Sequence, residues 1–351
     1  MYIYGIIVVK ILFLGDCMIK KIFKFSSITL GLLMLLILLF AVCVIVNGSC
    51  FYKYDKNNDD NSKWMSNIYD DTLVSEIVMP GSHDAGTYDM VWLGETQQFD
   101  IEAQLKMGAR YFDIRVNKVN GKYVIFHSVI NGVEFLPILS SIKEFIIENP
   151  SETLLLDFQH FSGSSQNDVY NFIKEYLYDD GLLVENNTNK SDLAFISELK
   201  LKDARGKCII FWGDRSSDPS EFIFLRNNDE CSKQYMCLNS YYVSDYHYND
   251  YNYLVENGYP VYFNNIIDKI ENEQKGIFVL QAQLTDENLI FGPYSKEKVD
   301  ENTISRYICD FETSENLKYL NVIMRDFLTN EKCETIINLN YYKNNCSELI
   351  C

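Results

Sequence analysis

From residue 62 onward the chain alternates short apolar runs with stretches of helical periodicity. Strand-like runs occur at Val74–Met79, Ala109–Val116, Tyr123–Phe126, Thr153–Phe158, Lys207–Trp212, Gly276–Leu284 and Leu320–Met324. Helical patterns mark Asp100–Met107, Ile138–Glu148, Gln166–Tyr178 and Val261–Glu273, with Glu331–Leu339 after the last strand. Strand and helix in alternation predict a largely parallel sheet covered by helices. Seven or eight such units over about 290 residues predict one α/β domain, an irregular (β/α) barrel of the TIM type. Two polar stretches, Tyr178–Ser191 and Asn239–Tyr259, read as long loops over that barrel, and no internal repeat is visible.

The first 49 residues follow a different pattern. Ile28 to Val46 is a run of 19 residues without a charge, preceded by Lys20, Lys21 and Lys24 and followed by Gly48 and Ser49. Basic flank, apolar run and small residues are the parts of a secretory signal peptide. The run also has the length of a membrane-spanning helix, so an uncleaved anchor with the barrel outside the cytoplasm is the other reading. Met18 would be the more ordinary start of such a signal, with Met1 to Cys17 as an upstream extension. The expected organisation is therefore a hydrophobic helix within 1–49, a polar linker over 50–61, the barrel over 62–345 and a tail over 346–351.

Charge narrows the partners. The full chain carries a net charge of −18. Beyond residue 49 there are 27 basic against 48 acidic residues, a net −21 with no basic stripe. That excludes nucleic-acid binding as the function, and a lipid surface would have to be met through aliphatic and aromatic side chains. Eight cysteines remain in the same span: Cys50, Cys208, Cys231, Cys237, Cys309, Cys333, Cys346 and Cys351. An even count in a translocated chain predicts disulfides, with the connectivity open.

Candidate chemistry gathers where the predicted strands end, which in a (β/α) barrel is the functional rim. His83 and Asp84 follow the first strand through Pro80-Gly81-Ser82. Asp113 and Arg115, two apart on the second, point to one face. His127 closes the third strand, Asp157 and Gln159 share a face on the fourth, and Asp326 ends the last. Taken singly, each has a plainer explanation: a helix cap for Ser82-His83-Asp84, a structural ion pair for Asp113 with Arg115, a core histidine for His127. His160 and His247 read as structural or surface residues. Together they supply base, acid and fixed positive charge, the set that cleavage of a phosphodiester needs.

The segments Pro80-Gly-Ser-His-Asp-Ala-Gly-Thr-Tyr88, Gly108-Ala-Arg-Tyr-Phe-Asp-Ile-Arg115, Leu156-Asp-Phe-Gln-His-Phe161 and Gln281-Ala-Gln-Leu-Thr285 resemble the phosphatidylinositol-specific phospholipase C X domain. The likeness, over roughly 62–345, is to bacterial secreted enzymes and to eukaryotic proteins consisting of an X domain alone. It implies His83 as general base with Asp326 orienting it, and His127 as general acid supported by Asp84. It also implies Arg115 on the phosphate with Asp113 holding it. The substrate would be an inositol phospholipid or a glycosylated (GPI-type) relative at a membrane surface, the product a cyclic inositol phosphate, and the protein a monomer. Arg115 supplies the positive charge, so no cofactor is expected. Calcium on Asp84, Asp113 and Asp157 is the alternative. This chain departs from the family at several places. Gln159 stands where bacterial relatives carry a lysine, Ser128 where a glycine follows the acid histidine, and Gly213 where they have a headgroup-binding arginine. Arg215, Asp245 and Tyr246 are the remaining candidates for headgroup contact. A catalytically weak X domain that binds lipid or glycan is the competing reading.

Overall fold

The computed structural model describes residues 60–163, 165–213, 222–226, 237–242, 276–283, 304–310 and 315–348, with Met34 and Pro293. Residues Tyr54–Cys351 form one compact unit. Its strands are β1 (Met79–Ser82), β2 (Tyr111–Val119), β3 (Lys122–His127), β4 (Ile130–Glu134), β5 (Thr153–Ser162), β6 (Lys207–Trp212), β7 (Ile223–Leu225), β8 (Leu238–Tyr242), β9 (Ile277–Gln281) and β10 (Val322–Arg325). Eight of them run parallel in the order β7-β6-β5-β2-β1-β10-β9-β8. The sheet curls until its outer strands meet in one parallel bridge, Arg226↔Leu238, where the Cys237 N–H donates to the Leu225 carbonyl at 2.8 Å.

Strand alternation sorts side chains into an inner and an outer set. Met79, Tyr111, Leu155, Ile209, Phe211, Phe224, Val279, Val322 and Met324 share one buried cluster. Trp64, Met65, Val74 and Ile77, from the segment ahead of β1, belong to it too and plug the barrel from that end. The intervening residues Phe112, Ile114, Leu154, Leu156, Phe158 and Ile210 face outward into a second cluster. Helix α2 (Phe135–Glu148) meets them with a stripe of Phe135, Ile138, Leu139, Ile142 and Phe145 at helical spacing. Helix α1 (Ile101–Met107) starts where the Asp100 side chain accepts from the Ala103 N–H, and stops at Gly108, whose φ of 117° a side chain would strain.

Several expected elements shift. The run Val74–Met79 is not a strand: Val74–Glu76 forms a single 3-10 turn, and pairing starts at Met79. Pro80 and Gly81 look like turn residues but lie inside β1, because a Cβ at Gly81 would sit 2.8 Å from Val322 and 2.9 Å from Tyr111. The run Tyr123–Phe126 belongs to β3, which is no barrel strand: it folds back antiparallel onto the far end of β2. Asn120 and Gly121, with φ of 52° and 80°, turn that hairpin. Strand β8 occupies the beginning of the expected loop Asn239–Tyr259. The expected helix Val261–Glu273 lies outside the described residues, as does the apolar run 28–46 apart from Met34. Among the described residues no helix is long and apolar enough to cross a membrane. Disulfides do not form at two of the eight positions, for Cys208 and Cys333 are free thiols packed in the outer core. Burial pushes the Cys333 thiol up to about 12, so it behaves as a small apolar side chain.

Candidate active site

At the mouth of the barrel the inward positions turn from apolar to charged, one strand after another: Tyr111 gives way to Asp113 and Arg115, Leu155 to Asp157 and Gln159, Met324 to Asp326. His83 leaves β1 with its ring 3% exposed. Its Nδ1 lies 2.6 Å from Asp326 Oδ1, which ends β10 beside it. On the other side of the ring, Nε2 lies 3.4 Å from Asp84 Oδ2 and 3.4 Å from Arg115 Nη2. Each protonation state therefore finds a partner there. A neutral ring accepts from the guanidinium, and an imidazolium donates to the carboxylate. Burial opposes charge on His83, but the carboxylates of Asp84 and Asp326 outweigh it and hold the pKa up at about 9.

Asp84 is the hub. Its Oδ1 pairs with Arg115 Nε at 2.7 Å, and its Oδ2 lies 3.4 Å from His83 Nε2 and 3.6 Å from His127 Nε2. Burial would raise its pKa, yet Arg115 and the histidines around it keep the carboxyl below its ordinary value. The residue is held at φ 44°, a left-handed conformation that aspartate tolerates better than most side chains. Asp113 accepts from the same guanidinium side-on, Oδ2 from Nη2 at 2.8 Å and Oδ1 from Nε at 3.3 Å, and receives the Asp84 N–H at 3.3 Å.

His127 reaches this group by an indirect route. Strand β3 runs back down the extension of β2, so its last residue returns to the rim beside Asp84. The ring Nδ1 donates to the Gly94 carbonyl at 3.0 Å, which fixes the tautomer. Ser128, next in the hairpin turn, has φ 56°, a position that favours glycine.

A second polar group fills the β5–β7 side. Asp157 is fully buried and accepts from Tyr111 Oη at 2.6 Å, Gln159 Nε2 at 3.2 Å and Arg226 Nε at 2.9–3.1 Å. Burial raises its pKa and Arg226 opposes the shift. Gln159 thus faces this network. The structure brings His83, Asp84, Asp113, Arg115, His127 and Asp326 together, with Gln159 on the neighbouring group. Arg215, Asp245 and Tyr246 lie outside the described residues.

Three contributors escape the sequence reading. Arg226 follows the short run Phe222–Leu225, which carries too little pattern to flag a strand end. Thr96 accepts through its carbonyl from the Phe327 N–H at 2.7 Å. Gln97 donates to the carbonyls of His83 and Arg325, each at 3.0 Å, and accepts from the Leu328 N–H at 3.0 Å. These last two bind the end of β1 to the end of β10 and so fix the His83–Asp326 pair. They sit in an irregular loop, where no periodicity announces them.

Residues 71–213 match the family model described as phosphatidylinositol-specific phospholipase C, X domain. The chain is 24% identical over 307 residues to a 1-phosphatidylinositol phosphodiesterase of Listeria monocytogenes, covering 82% of this chain and 87% of the relative. It is 29% identical over 194 residues to the protein of that name from Staphylococcus aureus, covering 49% and 56%. In fold it is similar to the phosphatidylinositol-specific phospholipase C from Listeria monocytogenes, with a TM-score of 0.63 at 20% identity over 80% of this chain and 99% of the other. The segment 71–213, which carries five of the six clustered residues, is thus the part of the chain that matches the phosphatidylinositol-specific phospholipase C X domain.

Proposed function

We propose that this chain is a phosphodiesterase of the phosphatidylinositol-specific phospholipase C type. It would cleave an inositol phospholipid, or a GPI-type lipid with the same headgroup linkage, to diacylglycerol and a cyclic inositol phosphate. The observation that carries the reading is the single carboxylate of Asp84 placed between two histidines and a guanidinium. In the neutral His83 ring, Nδ1–H donates to Asp326 and Nε2 presents its lone pair to the mouth, as a general base requires. It takes the proton of the inositol hydroxyl next to the phosphate, and the freed oxygen attacks phosphorus. Arg115 bears on the phosphate oxygens as negative charge builds on them. His127, its Nδ1–H fixed on Gly94, delivers the Nε2 proton to the departing diacylglycerol oxygen.

The same geometry argues against calcium. One donor atom each from His83, Asp84 and Asp113 lies within 4.8 Å of the others, but Ca²⁺ takes about 6–8 oxygen ligands. Here Arg115 is already bonded to both carboxylates, and Asp157 is committed to Arg226. A lipid surface as the site of action is supported by apolar side chains beside the mouth. Val91, Trp92 and Val129 are exposed, Val129 by 91%, on two loops in close contact where Met90 packs over Gly132 and Ile130 over Gly94. The barrel would act outside the cytoplasm, as the apolar run 28–46 led us to expect. The test is to incubate the full-length chain with phosphatidylinositol vesicles, with calcium and with excess chelator. Cyclic inositol phosphate in both conditions is expected. Product only with calcium would overturn the metal-independent mechanism. No product from folded protein would leave lipid or glycan binding as the better reading.

A further inference from the structure

His160 reads from the sequence as a structural or surface residue. The register says otherwise. Strands β2 and β5 pair Asp113 with Asp157 and Ile114 with Phe158, then slip, so that Arg115 pairs with His160 and Val116 with Phe161. Gln159 is the extra residue of a β-bulge, and bulges re-aim the side chains that follow them. Neighbours paired across a parallel sheet project to the same face. His160 therefore projects with Arg115 into the mouth, while Phe161 returns to the outer face and stacks with Phe158.

Two further observations fit this placement. A Cβ on Gly213 would lie 2.5 Å from the Gln159 carbonyl oxygen, so the adjoining end of β6 leaves room for the bulge only because it carries no side chain. The charged groups acting on the His160 ring are those of the site: Arg115 and Asp113 on β2, Arg226 after β7, and Asp84 after β1. His160 is nonetheless open to solvent, in contrast to His83, and makes no side-chain hydrogen bond among the described residues.

We propose that His160 is a substrate-contacting residue, donating a hydrogen bond to the phosphate of the bound headgroup beside Arg115, on the flank opposite His83. The inference rests on the phosphodiesterase reading and adds to it a third imidazole. Burial and the neighbouring Arg115 lower its pKa, so at neutral pH the ring is an uncharged donor and leaves Arg115 as the fixed positive charge.

Two measurements test it. The chain has four histidines, few enough for each ring C–H signal to be assigned in a two-dimensional spectrum, with His160→Gln identifying this one. On titration with myo-inositol 1-phosphate the His160 signal should shift. A still signal while those of His83 or His127 move overturns the proposal, and so does a spectrum in which none moves. On phosphatidylinositol vesicles, His160→Ala should lower kcat/KM by about 10- to 100-fold, the loss expected of one hydrogen bond to a charged group. His160→Gln, which keeps an N–H donor, should recover part of it. Wild-type kinetics in His160→Ala overturn the proposal. Gly213→Ala, which presses on the bulge without touching the ring, should reproduce part of the loss. Should the wild-type chain cleave no phosphatidylinositol, the functional reading falls and the titration alone decides the role of His160.

Discussion

Two aspartate–arginine groups share the mouth of the barrel, and they are built for different ends. On the β5–β7 side, Asp157 meets Arg226, Tyr111 and Gln159. All three hydrogen bonds fall on its Oδ2, while Oδ1 faces Arg226 Nε at 2.9 Å as an ion pair without a hydrogen bond of its own. On the β1–β2 side, Asp84 and Asp113 meet Arg115, but Asp84 also faces two imidazoles at distances longer than a normal hydrogen bond. Those gaps leave room for a proton to change owner. The backbone tells the same story. Asp84, Ser128 and Phe327, all with positive φ, belong to the β1–β2–β10 side, and no described residue of the Asp157 group has such a conformation. Local strain of this kind persists where surrounding contacts enforce it and tends to collect at functional sites. The same two residue types thus make a packed wall when the carboxylate meets one guanidinium and neutral donors, and the proposed reactive centre when a carboxylate is shared between a guanidinium and two imidazoles.

The largest effects should separate the two groups. His83→Ala or His127→Ala should each lower kcat by about 10²–10⁴-fold, as acid–base groups contribute, and His127→Ala, whose ring is part-exposed, should do so with the melting temperature close to wild type. Asp157→Ala should do the reverse in emphasis. It strands Arg226 beneath the rim, and breaking a buried ion pair costs about 3–5 kcal/mol, to be read as a lowered denaturant midpoint. If Asp157→Ala proved stable and inactive, the contrast between wall and reactive centre would be wrong.

A subtler test uses pH. The folded-state pKa of His83 is raised, to about 9, so the stability it contributes is full below about 6.5 and is lost as pH climbs through 9. In the proposed mechanism the competent form is the neutral ring, which grows over that same window, so the rising limb of kcat/KM should extend into the alkaline range. Asp326→Asn removes one of the carboxylates that hold the pKa up. It should move the limb to lower pH and flatten the fall of stability between pH 7 and 9. An unmoved limb would mean that another group sets it. The smallest expected effect is that of Ser128→Gly. Relief of a left-handed serine should stabilise by about 1 kcal/mol, offset in part by the added freedom of the unfolded chain, with little change in rate.

Much of this was legible in the chain, and the failures share a cause. Alternation on β2 and β5 put Asp113, Arg115, Asp157 and Gln159 on the inner face. The segment from Pro80 to Tyr88 placed His83 and Asp84 at a strand end, where the structure has them. What alternation cannot show is register. The hairpin that returns His127 to Asp84 was read as a separate barrel strand, although Asn120-Gly121 carries the turn signal. The slip after Ile114 that turns His160 inward leaves no trace in apolar periodicity. Gly213 became intelligible only once the Gln159 carbonyl was found against it. Arg226, which packs beside Gly213 and pairs with Asp157, places a guanidinium on that side of the mouth from a different strand.

The curled sheet closes through one bridge, between Arg226 and Leu238, and β1 and β2 lie in the middle of the strand order, far from that seam. Such an architecture separates what must stay fixed from what can change over evolutionary time. Changes along the seam can alter the outline of the mouth on that side while the His83, Asp84 and Arg115 cluster on β1 and β2 keeps its geometry, so one scaffold can be refitted at its edge without rebuilding its centre.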